Sequence, residues 1–220
     1  MKVKICGLTT LEDASAAAEA GADFLGFNFY PKSPRYLAPE ACREIVAKLK
    51  ALSLPCLGVG VFVNHSPEEV RRIVDFCGLE LAQLSGDEPP AALAALADLN
   101  VGAFKALRPA DAAALAEALR KYPGLLSAHA TGEFPAYLID AYRPGEYGGT
   151  GLTANWSLAT QLARRHAIFL AGGLVPENVA TAVAQVQPWG VDVASGVEST
   201  PGRKDAAKVR AFIAAAKDHL

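Results

Sequence analysis

The chain has 220 residues, with 21 Lys and Arg against 23 Asp and Glu for a formal net charge of −2, and is 51% apolar. This balance excludes intrinsic disorder, which needs few apolar residues and much net charge. It also gives no general attraction to nucleic acid or to an anionic membrane, while the length suffices to bury a sizeable core without staples.

Short apolar runs alternate with amphipathic stretches from one end to the other. Strands are predicted over 2–6, 24–29, 56–63, 79–84, 102–107, 136–140, 168–171 and 191–194. Helices are predicted over 11–20, 39–52, 67–77, 89–99, 110–121, 157–166, 176–186 and 205–217. Ala38-Pro39-Glu40, Ser66-Pro67 and Val175-Pro176-Glu177 place proline in a first turn beside a cap or an acid, a helix-start signature. Strict alternation implies parallel strands joined by crossover helices. Eight such units at this length predict an α/β fold, a single (β/α)8 TIM barrel of eight parallel strands spanning 1–220. A doubly wound open sheet is the structural alternative. Its dinucleotide-binding version is the weaker one, because no G-x-G-x-x-G follows the first strand.

Residues 1–14 lack the apolar region of a secretory signal, and the apolar run at 54–63 is too short to span a bilayer. A cytoplasmic chain is therefore expected. The terminal Lys217-Asp218-His219-Leu220 is similar to a lumenal retention tail, but without a signal it has nothing to act on. Of the four cysteines, none forms a C-x-x-C pair and no His stands at ligand spacing, so no metal site is expected. Cys42 keeps helical register with Ile45, Val46 and Leu49, and Cys77 with Val70, Ile73 and Val74, as buried apolar groups do. Cys56 opens an apolar strand and reads the same way.

In a barrel the active site lies at the C-terminal strand ends, so each end is read for chemistry. Strand one turns Val3 and Ile5 toward the helices and Lys4 and Cys6 inward. A thiol at the mouth acts as base or nucleophile if its pKa is lowered, or else lies inert. Asp140 ends an apolar strand, where a carboxylate has a partner, a task or a turn to cap. Asp192 on strand eight points inward beside strand one, which predicts a Lys4–Asp192 ion pair. Gln83 and Lys105 are placed on the same inward parity. Gly172 and Gly173 follow strand seven, and Ser195 and Gly196 follow strand eight, where glycines let backbone N–H groups approach a phosphate. Gly148-Gly149-Thr150-Gly151 lies in a long segment after strand six that reads as a lid or as a surface excursion. Arg35, after Pro34, offers a fork to a carboxylate or is simply solvated. His65, His129, His166 and His219 read as surface or capping groups.

These motifs together resemble phosphoribosylanthranilate isomerase of tryptophan biosynthesis. The matching segments are Lys4-Ile5-Cys6-Gly7-Leu8-Thr9, Ser33-Pro34-Arg35, Val59-Gly60-Val61-Phe62 and Gln83-Leu84 before Gly86. They continue with Asp140, Gly148-Gly149-Thr150-Gly151 with Trp156, Ala171-Gly172-Gly173-Leu174 with Pro176-Glu177-Asn178-Val179, and Asp192 to Glu198. The resemblance implies a cofactor-free Amadori rearrangement of a small phosphoribosyl-anthranilate substrate. Cys6 would be the general base, Asp140 the general acid and Arg35 the partner of the anthranilate carboxylate. Gly172, Gly173, Ser195 and Gly196 would hold the phosphate, and Gly148 to Gly151 would form the lid, with Lys4, Gln83 and Asp192 in support. Barrels of this family occur as monomers or homodimers. One position departs: the family commonly has His after Gln-Leu and before Gly, and this chain has the smaller Ser85, which bears on the shape of the anthranilate pocket. A related isomerase of histidine biosynthesis is the first alternative, but its chemistry pairs two aspartates and strand one here ends in Cys6. A barrel that only binds a phosphorylated ligand is the second.

Overall fold

The first strand sets the pattern for the whole molecule. In β1 (Lys2–Cys6) Val3 and Ile5 are fully buried against the helices, while Lys4 and Cys6 face the other way. The computed structural model describes residues 1–96, 102–122, 134–141 and 155–218. Seven further parallel strands follow: β2 (Phe24–Asn28), β3 (Leu57–Phe62), β4 (Leu81–Leu84), β5 (Gly102–Leu107), β6 (Tyr137–Ile139), β7 (Ile168–Leu170) and β8 (Gly190–Val193). They form a closed barrel in sequence order, and β1 pairs with β8 to complete it.

The helices are α1 (Leu11–Glu19), α2 (Pro39–Ala51), α3 (Pro67–Cys77), α4 (Pro90–Ala94), α5 (Ala112–Lys121), α6 (Trp156–Ala163), α7 (Val179–Val186) and α8 (Ala206–Lys217). Helix α3 shows why these segments are helical. Ser66 Oγ accepts from the Glu69 N–H and Glu69 Oε2 accepts from the Ser66 N–H, a reciprocal capping box with Pro67 beside it. Val70, Ile73, Val74 and Cys77 bury one face, each aliphatic side chain contributing roughly 1.5–3 kcal/mol. Gly78, at φ +68°, ends the helix in the left-handed conformation that glycine adopts without strain. No helix among the described residues is long and apolar enough to cross a membrane.

Differences from the sequence reading are local. Helix α7 begins at Val179 rather than Pro176, because Asn178 holds the preceding loop: its Oδ1 accepts from Val175 N–H and its Nδ2 donates to the Gly173 carbonyl. Helix α4 runs Pro90–Ala94 with Ala95 as its C-cap, inside the predicted 89–99, of which 97–99 lie outside the described residues. A small antiparallel hairpin, β9 (Glu198–Thr200) and β10 (Arg203–Lys204), stands between β8 and α8 and was not anticipated. Lys105 is a correction: Phe104 and Ala106 occupy the lumen, so Lys105 points outward. There its Nζ meets Glu88 at 2.9 Å and the carbonyls of Leu84 and Gly86.

Toward the N-terminal strand ends, Phe24, Val59, Leu81, Phe104, Leu138 and Phe169 fill the lumen, with Phe24 and Phe169 packed edge to face at 5.3 Å. This plug makes the barrel a packed core rather than a pore. Toward the C-terminal ends the inward positions turn polar, with Cys6, Gln83, Asp140 and Asp192 lining a cavity there.

Candidate active site

Strand register brings the inward side chains of β1 and β8 together. Lys4 is the Cα partner of Asp192, and Lys4 Nζ meets Asp192 Oδ1 at 2.7 Å with the lysine wholly buried. The expected ion pair is therefore present. Burial alone would lower the Lys4 pKa, but Asp192 and then Cys6 outweigh it, so Lys4 lies above its ordinary value as a buried cation.

Cys6 stands one inward position beyond Lys4. Its neighbour across the ladder is Gly26, whose missing side chain leaves the space the thiol occupies. A Cβ there would lie 2.9 Å from Cys6 Sγ and 3.2 Å from Lys4 Nζ. The thiol and the ammonium thus converge on one point. Burial pushes the Cys6 thiol up, and Lys4 and Lys204 offset this only in part.

Asp140 follows the last residue of β6. Its N–H continues the ladder to the Leu107 carbonyl at 2.9 Å, and its Oδ1 accepts from the Ala141 N–H at 2.8 Å. Burial pushes its carboxyl pKa up to about 6, against that hydrogen bond and the cations Arg108 and Lys4, and with Asp192 acting in the same direction. Gly172, at φ +85°, leaves the room this carboxylate needs: a Cβ there would stand 2.7 Å from Ala141 N and 3.0 Å from Asp140 Oδ1.

Cys6 and Asp140 line one cavity of about 360 Å³, together with Arg35, Gln83, Ser85 and Asp192. That volume lies in the range of small-molecule sites, roughly 300–1,000 Å³. Gln83 Nε2 donates to Ser85 Oγ at 3.0 Å, and Gln83 Oε1 is buried with no partner among the described residues. Ala194 lines the cavity, whereas Gly172, Gly173, Ser195 and Gly196 do not. These four sit on the two adjoining loops, which interlock: a Cβ on Gly196 would strike the Leu174 carbonyl. Gly148, Gly149, Thr150 and Gly151, like His129 and His219, lie outside the described residues. His65 packs edge-on against Phe62, and His166 against Tyr137, away from the cavity.

Arg35 lies in the loop after β2. Ser33 Oγ accepts from its N–H at 3.1 Å, and Asn28 Nδ2, at the strand end, donates to the same oxygen at 3.3 Å. Its guanidinium forms a bidentate pair with Glu198, Nε to Oε1 and Nη2 to Oε2, both 2.8 Å. Lys204 Nζ joins Glu198 Oε1 at 3.0 Å. Burial acts to raise the Glu198 carboxyl, but Arg35 and Lys204 prevail and hold it below the usual carboxylate range.

Among the cavity residues that the sequence reading gave no role are Asn28, Tyr30, Lys32 and Arg108. A signal for Arg108 did exist, since it continues the inward series Phe104, Ala106 two residues further on.

The protein-family model for N-(5'phosphoribosyl)anthranilate (PRA) isomerase matches residues 3–215. The N-(5'-phosphoribosyl)anthranilate isomerase of Geobacter sp. (strain M21) is 47% identical over 216 residues, 98% of each chain. Among solved structures, the phosphoribosyl anthranilate isomerase of Thermotoga maritima superposes with a TM-score of 0.85 at 39% identity, covering 99% of each chain. A phosphoribosyl anthranilate isomerase in complex with reduced 1-(o-carboxyphenylamino)-1-deoxyribulose 5-phosphate superposes with a TM-score of 0.82 at 37% identity, again over 99% of each chain. With a closed eight-stranded barrel, an acid and a thiol at its mouth and whole-chain similarity of this kind, the chain belongs to the phosphoribosylanthranilate isomerase family.

Proposed function

We propose that Cys6 and Asp140 are the base and the acid with which this isomerase of tryptophan biosynthesis converts N-(5-phosphoribosyl)anthranilate into 1-(o-carboxyphenylamino)-1-deoxyribulose 5-phosphate. The observation that carries the assignment is a carboxyl whose pKa burial lifts to about 6, sharing one cavity with a thiol. Asp140 gives its proton to the ribose ring oxygen. The C1′–oxygen bond breaks as the anthranilate nitrogen forms the C1′=N bond of a Schiff base. Cys6, as thiolate, removes the C2′ proton, and the resulting enolamine gains a proton at C1′ and loses one from the C2′ hydroxyl to give the ketone. Strands β1 and β6 lie three steps apart round the ring, so acid and base approach the sugar from different sides.

The two pKa shifts bear on which protonation state reacts in this reading. The productive form holds Asp140 protonated and Cys6 as thiolate. Because the acid titrates near 6 and the thiol above its ordinary value, this form is a minority tautomer at neutral pH. Its fraction climbs with pH to about 6 and then stays level up to the thiol pKa, since each step upward loses as much protonated acid as it gains thiolate.

Arg35 takes the anthranilate carboxylate. Backbone N–H groups at Gly172, Gly173, Ser195 and Gly196 take the phosphate, supported by the positive φ angles of both glycines after β7, +85° and +63°. The segment Gly148 to Gly151 closes over the substrate. Lys4 and Asp192 hold the floor beneath Cys6, and Gln83 and Ser85 shape the wall beside the ring. The enzyme works in the cytoplasm as a monomer or homodimer, which light scattering on the eluting protein distinguishes.

The test is a fluorescence assay with substrate generated in place, on wild type, Cys6→Ala and Asp140→Asn. Each variant is expected to lose about 10²–10⁴-fold in kcat while still binding the reduced product analogue. A Cys6→Ala enzyme barely slower than wild type overturns the base assignment. An inactive wild type that binds the analogue establishes a binding protein instead.

A further inference from the structure

We infer that Glu198 is a positioning residue for Arg35, and that Lys204 keeps the Arg35–Glu198 pair cationic so that it still attracts the substrate carboxylate. The inference rests on the reading of Arg35 as that carboxylate's partner. The sequence offered Arg35 as an open fork; the structure shows one edge of the fork already occupied.

The geometry explains why that occupation serves binding rather than blocking it. Two parallel hydrogen bonds of 2.8 Å engage Nε and Nη2, and Glu198 is almost wholly buried. A guanidinium is planar, so fixing one edge fixes the direction of the other, which carries the Nη1 donors. The side-chain stem is held as well: it lies across Gly7, where a Cβ would strike Arg35 Cδ. Gly7 follows Cys6, so the arginine stem lies across the residue next to that thiol. A free arginine loses rotamer freedom on gripping a carboxylate, and one pre-set by Glu198 has lost it before the substrate arrives.

Charge is the second half of the argument. An Arg–Glu pair alone is neutral and would offer an incoming anion little. Lys204 changes that. Its Nζ bonds Glu198 Oε1 and the Ala194 carbonyl, both at 3.0 Å, and is fully buried. Its N–H is tied to Asp13 Oδ2 at 3.1 Å. Two cations therefore share the Glu198 carboxylate, which opposes the burial that lowers the Lys204 pKa. The β9–β10 hairpin carries both partners and pairs them across its ladder: Glu198 opens it and Lys204 closes it.

The test compares steady-state kinetics on N-(5-phosphoribosyl)anthranilate and on N-(5-phosphoribosyl)aniline, which lacks the ring carboxylate. For Glu198→Gln, KM for the carboxylated substrate is expected to rise about tenfold while kcat falls less than about threefold, with KM for the aniline unchanged. Glu198→Asp should recover part of the loss, and Lys204→Met should raise KM in the same selective way. These two variants keep the inference testable if Glu198→Gln does not fold, as judged by circular dichroism. Equal KM increases on both substrates, or none on either, overturn the positioning role. Arg35→Met separates the two layers. If it still discriminates between the substrates, the reading of Arg35 fails and the inference with it; if it loses discrimination while Glu198→Gln keeps it, only the positioning of Arg35 by Glu198 fails.

Discussion

Replacing Asp140 by Asn should stabilise the fold, and by an amount that depends on pH. The carboxyl pKa moves from an ordinary 3.8 to about 6 on folding, with burial as the main cause. The folded chain therefore holds this proton more than a hundredfold more tightly than the unfolded chain, which at about 1.36 kcal/mol per tenfold step is roughly 3 kcal/mol. The sign follows from proton counting. Below pH 3.8 both states carry the proton and the site costs nothing. Between about 3.8 and 6 the folded state binds more protons, so stability falls as pH rises. Above about 6 the full cost of a buried charge is present. Urea unfolding of both proteins from pH 3.5 to 8, followed by tryptophan fluorescence, should show a difference that grows from its acid value by up to about 3 kcal/mol in favour of Asn and then levels off. Groups common to both proteins cancel in that difference. A difference flat across the range, or one that turns against Asn as pH rises, would refute the claim that burial strains this carboxylate.

Three further outcomes are expected. The pH profile of kcat/KM should rise to a break near 6, as set by Asp140, and run level beyond it; a profile that falls above 6 would mean that the base titrates lower than Cys6 does. Gly26→Ala should cost far more activity than stability, because its methyl would stand 2.9 Å from Cys6 Sγ and push the sulfur off its place; a fully active variant with an unchanged melting curve would contradict this. Lys4→Met leaves Asp192 buried without its cation, which should destabilise the fold by about 3–5 kcal/mol. It should also slow iodoacetamide alkylation of Cys6, followed by peptide mass spectrometry at pH 8, because the thiolate loses its nearest positive charge; an unchanged alkylation rate would remove Lys4 from the thiol's electrostatics.

How far the sequence could be read follows from what is local in it. The inward parity of Lys4 and Asp192 is a two-residue pattern, and ring closure alone makes their strands neighbours, so the ion pair was legible before any coordinates. Lys105 was not, because 102–107 is apolar on both faces and nothing in that run says which side the charge takes. The lumen proved to hold Phe104 and Ala106. The grip of Glu198 on Arg35 was out of reach for another reason. The two residues stand 163 positions apart on separate loops, and side-chain pairing between loops leaves no periodicity. The hairpin that carries Glu198 is three residues against two, too short for alternation, although Pro201-Gly202 marks its turn.

Ring closure also dictates a timetable. Lys4 and Asp192 are separated by 188 positions, so a ribosome working at about 5–20 residues per second delivers the anion roughly 10–40 s after the cation. During that interval β1 has only one of its two eventual neighbours, and the ammonium beneath Cys6 must remain hydrated rather than enter a dry lumen. Nascent chains ending before β8 are therefore expected to keep the mouth open and the thiol unplaced, so that enzymatic competence arrives with the last strand rather than accumulating along the chain.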